Sequence, residues 1–250
     1  MTKLLNYIFI LNLVIFLSIK KTESKENLVT DMSENSVEIS STFLGAKILL
    51  FGAYDGQNND DIIVIVSGPK GKIKINKKVK KFGIWMTSEN VIFSNVPKYY
   101  YIASNRKIRD ITNKREIIKN GLNFKNLNIV TSNFDKSENS VWYKALIRNM
   151  KKREFWKIDE NSIKLNKNTL FRKTLTLPSN VTTGVYDVRI LHYRSGKLFS
   201  EEISKIKVGK TGISANIYNA AQNYSAIYGI VAVIIALFFG WFTNIILRKI

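Results

Sequence analysis

Asp55, Asn58, Asn59, Asp60 and Asp61 crowd oxygen donors into one short stretch, the side-chain types a hard cation such as Ca²⁺ takes. The calcium-loop spacing, with glycine sixth and glutamate twelfth, does not follow. An Asx-rich turn between two apolar runs explains the same residues. Gly68-Pro-Lys-Gly-Lys72 has the composition of a phosphate loop, but no Gly-Lys-Ser/Thr closes it, and it reads as a tight turn. The one histidine, His192, lies in an alternating strand pattern and reads as a surface or edge residue. Asp187 is five positions away on the same strand, so the two side chains point to opposite faces. Paired acids, a Ser-His-Asp set and a nucleophile elbow are not found. With no cysteine, disulfides and thiolate chemistry are also excluded. The expectation is a protein without catalytic activity, cofactor or metal.

Charge is the next feature. The formal net charge is +20, and removing the first 24 residues takes away three basic groups and one acidic one, leaving +18. Such an excess suits nucleic acid, anionic lipid or acidic ligands. No nucleic-acid recognition motif is present, so nucleic acid is not expected as a partner. Half of the excess lies between residues 106 and 157, which hold 14 basic and 5 acidic residues. There, Glu138 to Lys157 has helical periodicity. Val141, Trp142, Ala145, Leu146 and Met150 share one face, and Lys144, Arg148, Lys151 and Lys152 share another. The basic face could lie on anionic lipid or on an acidic partner, or be the solvated side of a helix packed on the body.

The elements that would position these groups are mostly strands. Ala46 to Tyr54, the β-branched run Ile62-Ile-Val-Ile-Val66, Lys72 to Lys80, Phe82 to Met86, Asn90 to Phe93 and Val96 to Ser104 are short and separated by turn residues. After residues 108–120 and 138–157, both helix-prone, strands return at Ser162–Asn166, Thr169–Leu177, Gly184–Tyr193 and Leu198–Val208. This is a mainly β chain with a helical insert, and its spacing suggests an immunoglobulin-like β-sandwich body, as one composite or two small sandwiches. The expected boundaries are 25–105 and 159–210 for the sandwich sections and 106–158 for the basic helical insert. Residues 211–224 form an uncharged juxtamembrane linker, and 225–250 a transmembrane helix with a short tail.

That last segment has no charge from Ala226 to Leu247, enough helix to cross a bilayer core. Trp241, Tyr224 and Tyr228 suit the two interfaces, and Arg248 and Lys249 favour a cytoplasmic C-terminus. Ser225, Gly229, Ala232, Ala236 and Gly240 recur at helical spacing and form a stripe on which another membrane helix could pack. At the other end, Lys3, an apolar run from Leu4 to Ile19 and Lys20-Lys21 read as a signal peptide over residues 1–24, or as an uncleaved N-terminal anchor. Both readings export the body.

The motifs Leu49-Leu-Phe-Gly-Ala53, Asp55-Gly, Val64 to Gly68-Pro, Gly83-Ile-Trp85, Val96-Pro, Tyr99-Tyr, Ala103-Ser, Ala145-Leu-Ile-Arg148, Tyr228-Gly and Gly240-Trp241 together resemble an alphaproteobacterial family of transmembrane proteins with no assigned activity. The resemblance covers nearly the whole body and the anchor. It implies a signal-led, single-pass protein of the inner membrane, with its body in the periplasm. It also implies an association with a polytopic transporter of the sulfite-exporter type. The abundance of lysine departs from the family norm. Two functions follow as expectations: a non-catalytic accessory protein displayed at the lipid bilayer, or a periplasmic module that binds or senses a small anion. In the second, Tyr54, Trp85 and Tyr99 to Tyr101 would line a cleft and lysines would draw the ligand in.

Overall fold

Ile62-Ile-Val-Ile-Val66 is apolar at every position, and strand β4 (Asp60–Ser67), which contains it, is covered on both faces. The computed structural model describes residues 28–56, 59–131, 136–167, 169–211 and 213–247. The segment read as a signal, Asn58 of the oxygen-rich loop, and Arg248 and Lys249 lie outside them. β4 belongs to a six-stranded sheet in the order β2 (Ser36–Ile39), β13 (Lys197–Lys210), β12 (Gly184–Arg194), β4, β7 (Tyr100–Ser104) and β9 (Trp156–Asp159). A four-stranded sheet, β1 (Leu28–Met32), β3 (Gly45–Tyr54), β11 (Leu170–Pro178) and β10 (Lys164–Asn166), packs against it. Strands from both ends of the body enter both sheets, and one core joins them through Ile48, Leu50, Val64, Phe171, Leu175, Val188 and Ile206. Each such buried aliphatic side chain contributes about 2 kcal/mol.

The strand order and the split of the first segment are those of an immunoglobulin-like sandwich: β1 runs antiparallel to β3, and β2 runs parallel to β13. Tyr186 near the start of β12 reinforces this, because its buried hydroxyl donates to the Thr182 carbonyl at 2.6 Å. That is the tyrosine corner of such folds. Gly68 belongs to the same device. A Cβ there would lie 2.7 Å from the Tyr186 ring, so this glycine permits the ring's close approach. Asp159 ties the two sheets together, accepting from Tyr101 Oη and from Lys173 Nζ, each at 2.7 Å. Burial alone would raise the Asp159 pKa, but these two hydrogen bonds, together with the positive charges of Lys173 and Lys157, hold the carboxyl below its usual range.

The outer face of the six-stranded sheet carries a third layer. It contains the long hairpin β5 (Lys70–Lys81) and β6 (Ile84–Pro97), extended by β8 (Val130–Thr131), together with the helical insert. Ile63, Ile65, Ile102, Trp156, Leu191 and Tyr193 of the sheet meet Ile75, Phe93, Phe124 and Leu146 here. Buried hydroxyls and rings fix the insert in place: Tyr100 Oη donates to Gly121 O at 3.0 Å, and Trp156 Nε1 to Pro97 O at 2.9 Å.

The segment expected to be helical from 108 to 120 forms two short helices, α1 (Ile108–Ile111) and α2 (Lys114–Lys119). Asn113 begins the second by accepting from the Glu116 N–H. The long helix α3 spans Lys136–Lys152 and does not reach Lys157. Glu154 takes a left-handed φ of 60°, and Trp156 to Asp159 pair with β7 instead. Trp142, Leu146 and Met150 are buried as the periodicity requires, but Val141 is exposed.

Candidate functional site

After Lys210 the chain forms α4 (Ile213–Asn223), and then α5 (Ser225–Leu247). α5 has 23 residues, about 34 Å at helical rise. Ser225–Asn244 is long and apolar enough to span a membrane, and none of it is buried by the body. A helix that displays Ile230, Ile234, Leu237, Phe238 and Trp241 outward to this extent needs an apolar solvent. The Thr243 hydroxyl is satisfied by the Phe239 carbonyl at 2.7 Å, as a polar group in lipid must be. A Cβ at Gly229 or Gly240 would meet nothing within 4 Å. The stripe of Ser225, Gly229, Ala232, Ala236 and Gly240 therefore lies on a helix free of contacts with the body along its length.

Within the body the structure brings together residues that the sequence kept apart. His192 is not a surface or edge residue: it is wholly buried on the inner face of β12, which runs between β13 and β4. Its Nε2 lies 2.9 Å from Asp60 Oδ2, and its Nδ1 lies 3.3 Å from Ser200 Oγ. Arg194 grips the same carboxylate, with Nε at 3.1 Å and Nη2 at 2.9 Å from Oδ2, and also donates to the Asp55 carbonyl. The hydrogen bond to Asp60 raises the Arg194 pKa further. Tyr54 and Phe199 present ring edges to the imidazole at 5.1 and 5.3 Å between centroids. Next to it, Asp61 accepts from Arg106 Nε and Nη2, each at 2.6 Å, and from Asn105 at 2.9 Å.

Ser200, His192 and Asp60 therefore form a hydrogen-bonded row of nucleophile, base and acid, a set the sequence did not reveal. Its surroundings are unlike those of a nucleophile's site. The imidazole has no exposed edge, and the acid is shared with a guanidinium. The row closes the end of the sandwich at β4, β12 and β13. Asp60 and Asp61 turn to different partners, and among the described residues no group of three or more His, Cys, Asp or Glu could hold a metal. Asp187 is exposed on the other face from His192, as strand parity requires.

The aromatic cleft does not form. Trp85 is exposed at the end of the β5–β6 hairpin, Tyr54, Tyr99 and Tyr101 belong to the sandwich core, and Tyr100 packs on the opposite face. Strand alternation separates Tyr100 from its two neighbours, and the hairpin carries Trp85 away from the sheets. Lys144, Arg148, Lys151 and Lys152 are exposed on α3, and Lys151 Nζ stands 5.4 Å from the centre of the Phe124 ring. A recess between the hairpin and the end of α3 holds more closely gathered positive charge. It is lined by Lys72, Lys74, Lys98 and Arg153, with Asn149 and Thr182 adding polar groups and no carboxylate.

No curated protein and no solved structure matches the chain. A family model does match, over residues 27–249, which takes in the sandwich, the insert and the anchor. The chain belongs to the family described as "Putative transmembrane protein (Alph_Pro_TM)".

Proposed function

We propose that this transmembrane protein is a non-catalytic accessory subunit. Its β body stands on the periplasmic side of the inner membrane, α5 crosses with the C-terminus in the cytoplasm, and the small-residue stripe packs against a polytopic transporter of the sulfite-exporter type. The observation that carries this reading is α5 itself: an apolar helix of spanning length, with an unobstructed small-residue face, on a body whose one histidine is buried against Asp60. Orientation rests on Arg248 and Lys249 after the helix. Purification in mild detergent should bring down one polytopic protein in stoichiometric yield. Gly240→Leu, which fills the stripe and keeps the helix apolar enough to span, should cut that yield severalfold. Equal recovery with both proteins would remove the helix partner from the account.

The basic recess favours a second reading, a module that binds a small anion, since four cations converge there without a carboxylate. Sulfate, sulfite or phosphate at millimolar concentration should then raise the unfolding temperature of the detergent-solubilised chain, and Lys98→Gln should abolish the rise. A flat response to all three would leave the accessory role alone.

A further inference from the structure

The β5–β6 hairpin changes character along its length. Near its root, Ile75, Val91, Phe93 and Val96 are buried beneath the insert. From Asn76 to Asn90 every residue except the half-buried Val79 is exposed. Yet the end of the hairpin is strongly apolar: Phe82 is fully exposed, Ile84 is 68%, Trp85 65% and Met86 52% exposed. Lys80 pairs with Trp85, Lys81 with Ile84 and Val79 with Met86, so apolar side chains occupy both faces of the tip as well as its apex. A strand pair made to cover a flat surface would have one apolar face. This one carries exposed apolar side chains on both faces.

The turn points the same way. Phe82 and Gly83 have φ of 49° and 82°, so both central residues of this two-residue turn are left-handed. Asn, Asp or Gly is favoured at the first of these positions, and a phenylalanine is strained there. Burial does not offset that strain, because the ring touches only solvent. Lys80 and Lys81 stand beside Trp85 and Ile84 across the hairpin, and Lys77 and Lys78 lie behind them, a collar of cations with Glu89 as the single acid between residues 77 and 89. Apolar and aromatic residues at an apex, with lysines beside and behind them whose long stems can carry their charges back to the headgroups, match the environments met on entering an anionic lipid surface.

The topology roots this hairpin at the end of the body from which the anchor departs. Ser67, just before the hairpin, pairs with Asp187, and Asp187 pairs with Lys205. Gly184 pairs with Val208, and a Cβ on Gly184 would lie 2.9 Å from Pro69. Two residues after Val208 the last strand ends, and the chain passes towards α5. An apolar tip on a protein already tethered to a bilayer meets lipid at high effective concentration.

We propose that Phe82, Ile84, Trp85 and Met86 form a second, reversible membrane contact, dipping into the interface of the leaflet that α5 enters while Lys77, Lys78, Lys80 and Lys81 lie among anionic headgroups. This contact rests on α5 crossing the bilayer and is independent of any partner of that helix. It holds the body against the surface, where a single tether would leave it free to swing.

The test uses the full chain in discs of phosphatidylcholine, with or without phosphatidylglycerol, and lipids brominated near the headgroup. Trp142 and Trp156 are buried, so two tryptophans can report on lipid: Trp241 on the anchor and Trp85 on the tip. In Trp241→Phe protein, brominated lipid should quench tryptophan emission. Trp85→Phe in that background should reduce the quenching to that of the buried pair. Replacing the four collar lysines by glutamine should weaken it in anionic discs and leave it unchanged in neutral ones. In Trp85→Phe protein that retains Trp241, quenching reports the anchor alone, so failure of the anchor is distinguishable from failure of the tip. Free access of aqueous iodide to Trp85, with no quenching by lipid, would overturn the proposal. Shielding from iodide without quenching by lipid would also overturn it, and would place the tip against protein. The substituted residues contribute nothing to the core, and an unchanged unfolding temperature confirms that each variant is folded.

Discussion

Ile234→Lys combined with Leu237→Lys is expected to release the protein from the membrane. Both positions lie in the middle of α5 and face outward, where the helix meets lipid. A lysine at the centre of a spanning helix costs about 2.5–3.5 kcal/mol by insertion scales, so the pair costs about 6 kcal/mol. Each Leu, Ile, Val or Phe contributes only about 0.3–0.6 kcal/mol to insertion. Two charges therefore offset most of what the helix gains. After extraction at alkaline pH, the wild-type chain should stay in the membrane pellet and the double variant should move to the supernatant. Ala236→Leu, at the same depth but apolar, should behave like wild type. Retention of the double variant would mean that something other than α5 holds the body.

Asp60→Ala should have the largest effect on the body. It removes the carboxylate on which Arg194 and His192 converge and leaves a guanidinium at the closed end of the sandwich. The cost should be about 3 kcal/mol, because the wholly buried His192 loses its partner while the part-buried Arg194 regains some of its hydration. In a body of this size that lowers the unfolding temperature by roughly 10 °C. Asp60→Asn, which keeps the shape and part of the hydrogen bonding, should lose less. Thermal unfolding of the detergent-solubilised protein measures both. Fractionation should still find each variant in the membrane, because the cluster and α5 do not touch. A normal unfolding temperature in Asp60→Ala would show that the cluster does not hold the sandwich closed. The row would then need another explanation, with Ser200 the first residue to examine.

The two predictions differ in how far they could be read from residues alone. α5 is visible because hydrocarbon thickness imposes a length, and no tertiary contact is needed to recognise it. β4 is legible for a related reason: a run of β-branched residues with no polar face requires cover on both sides. The Arg194-Ser-Gly-Lys197 turn gives the β12–β13 hairpin, but its register would set His192 opposite Phe199, and a bulge beyond the Tyr193–Leu198 pair brings Ser200 there instead. Asp60 is different. It joins His192 through a pairing of strands separated by 132 residues, and local pattern gives no information about that register. Without Asp60 the histidine looks solitary and exposed. With it, the histidine is half of a buried clasp.

On sequence alone Trp85 groups with Tyr54 and Tyr99 to Tyr101 around a cleft, since aromatic residues in a strand usually seek the interior. The same side chain on the free end of a hairpin has no interior to seek. Sequence periodicity records which face a residue takes on its own strand, not whether another layer covers that face. The end of α3 shows the same limit. Trp156 falls two heptads after Trp142, close to the same helical face, yet Glu154 turns the chain and Trp156 serves a strand. Each misreading occurs where a tertiary neighbour, and not local preference, decides the outcome.

Protease accessibility tests most directly whether one helix holds the β body on the exported side of the membrane. When intact spheroplasts carrying the full chain are treated with a protease, the sandwich, insert and hairpin should be digested. A small fragment containing α5 and the residues after it should remain in the membrane. The result that would contradict this account is a full-length chain that survives in spheroplasts and is cut only in inverted vesicles.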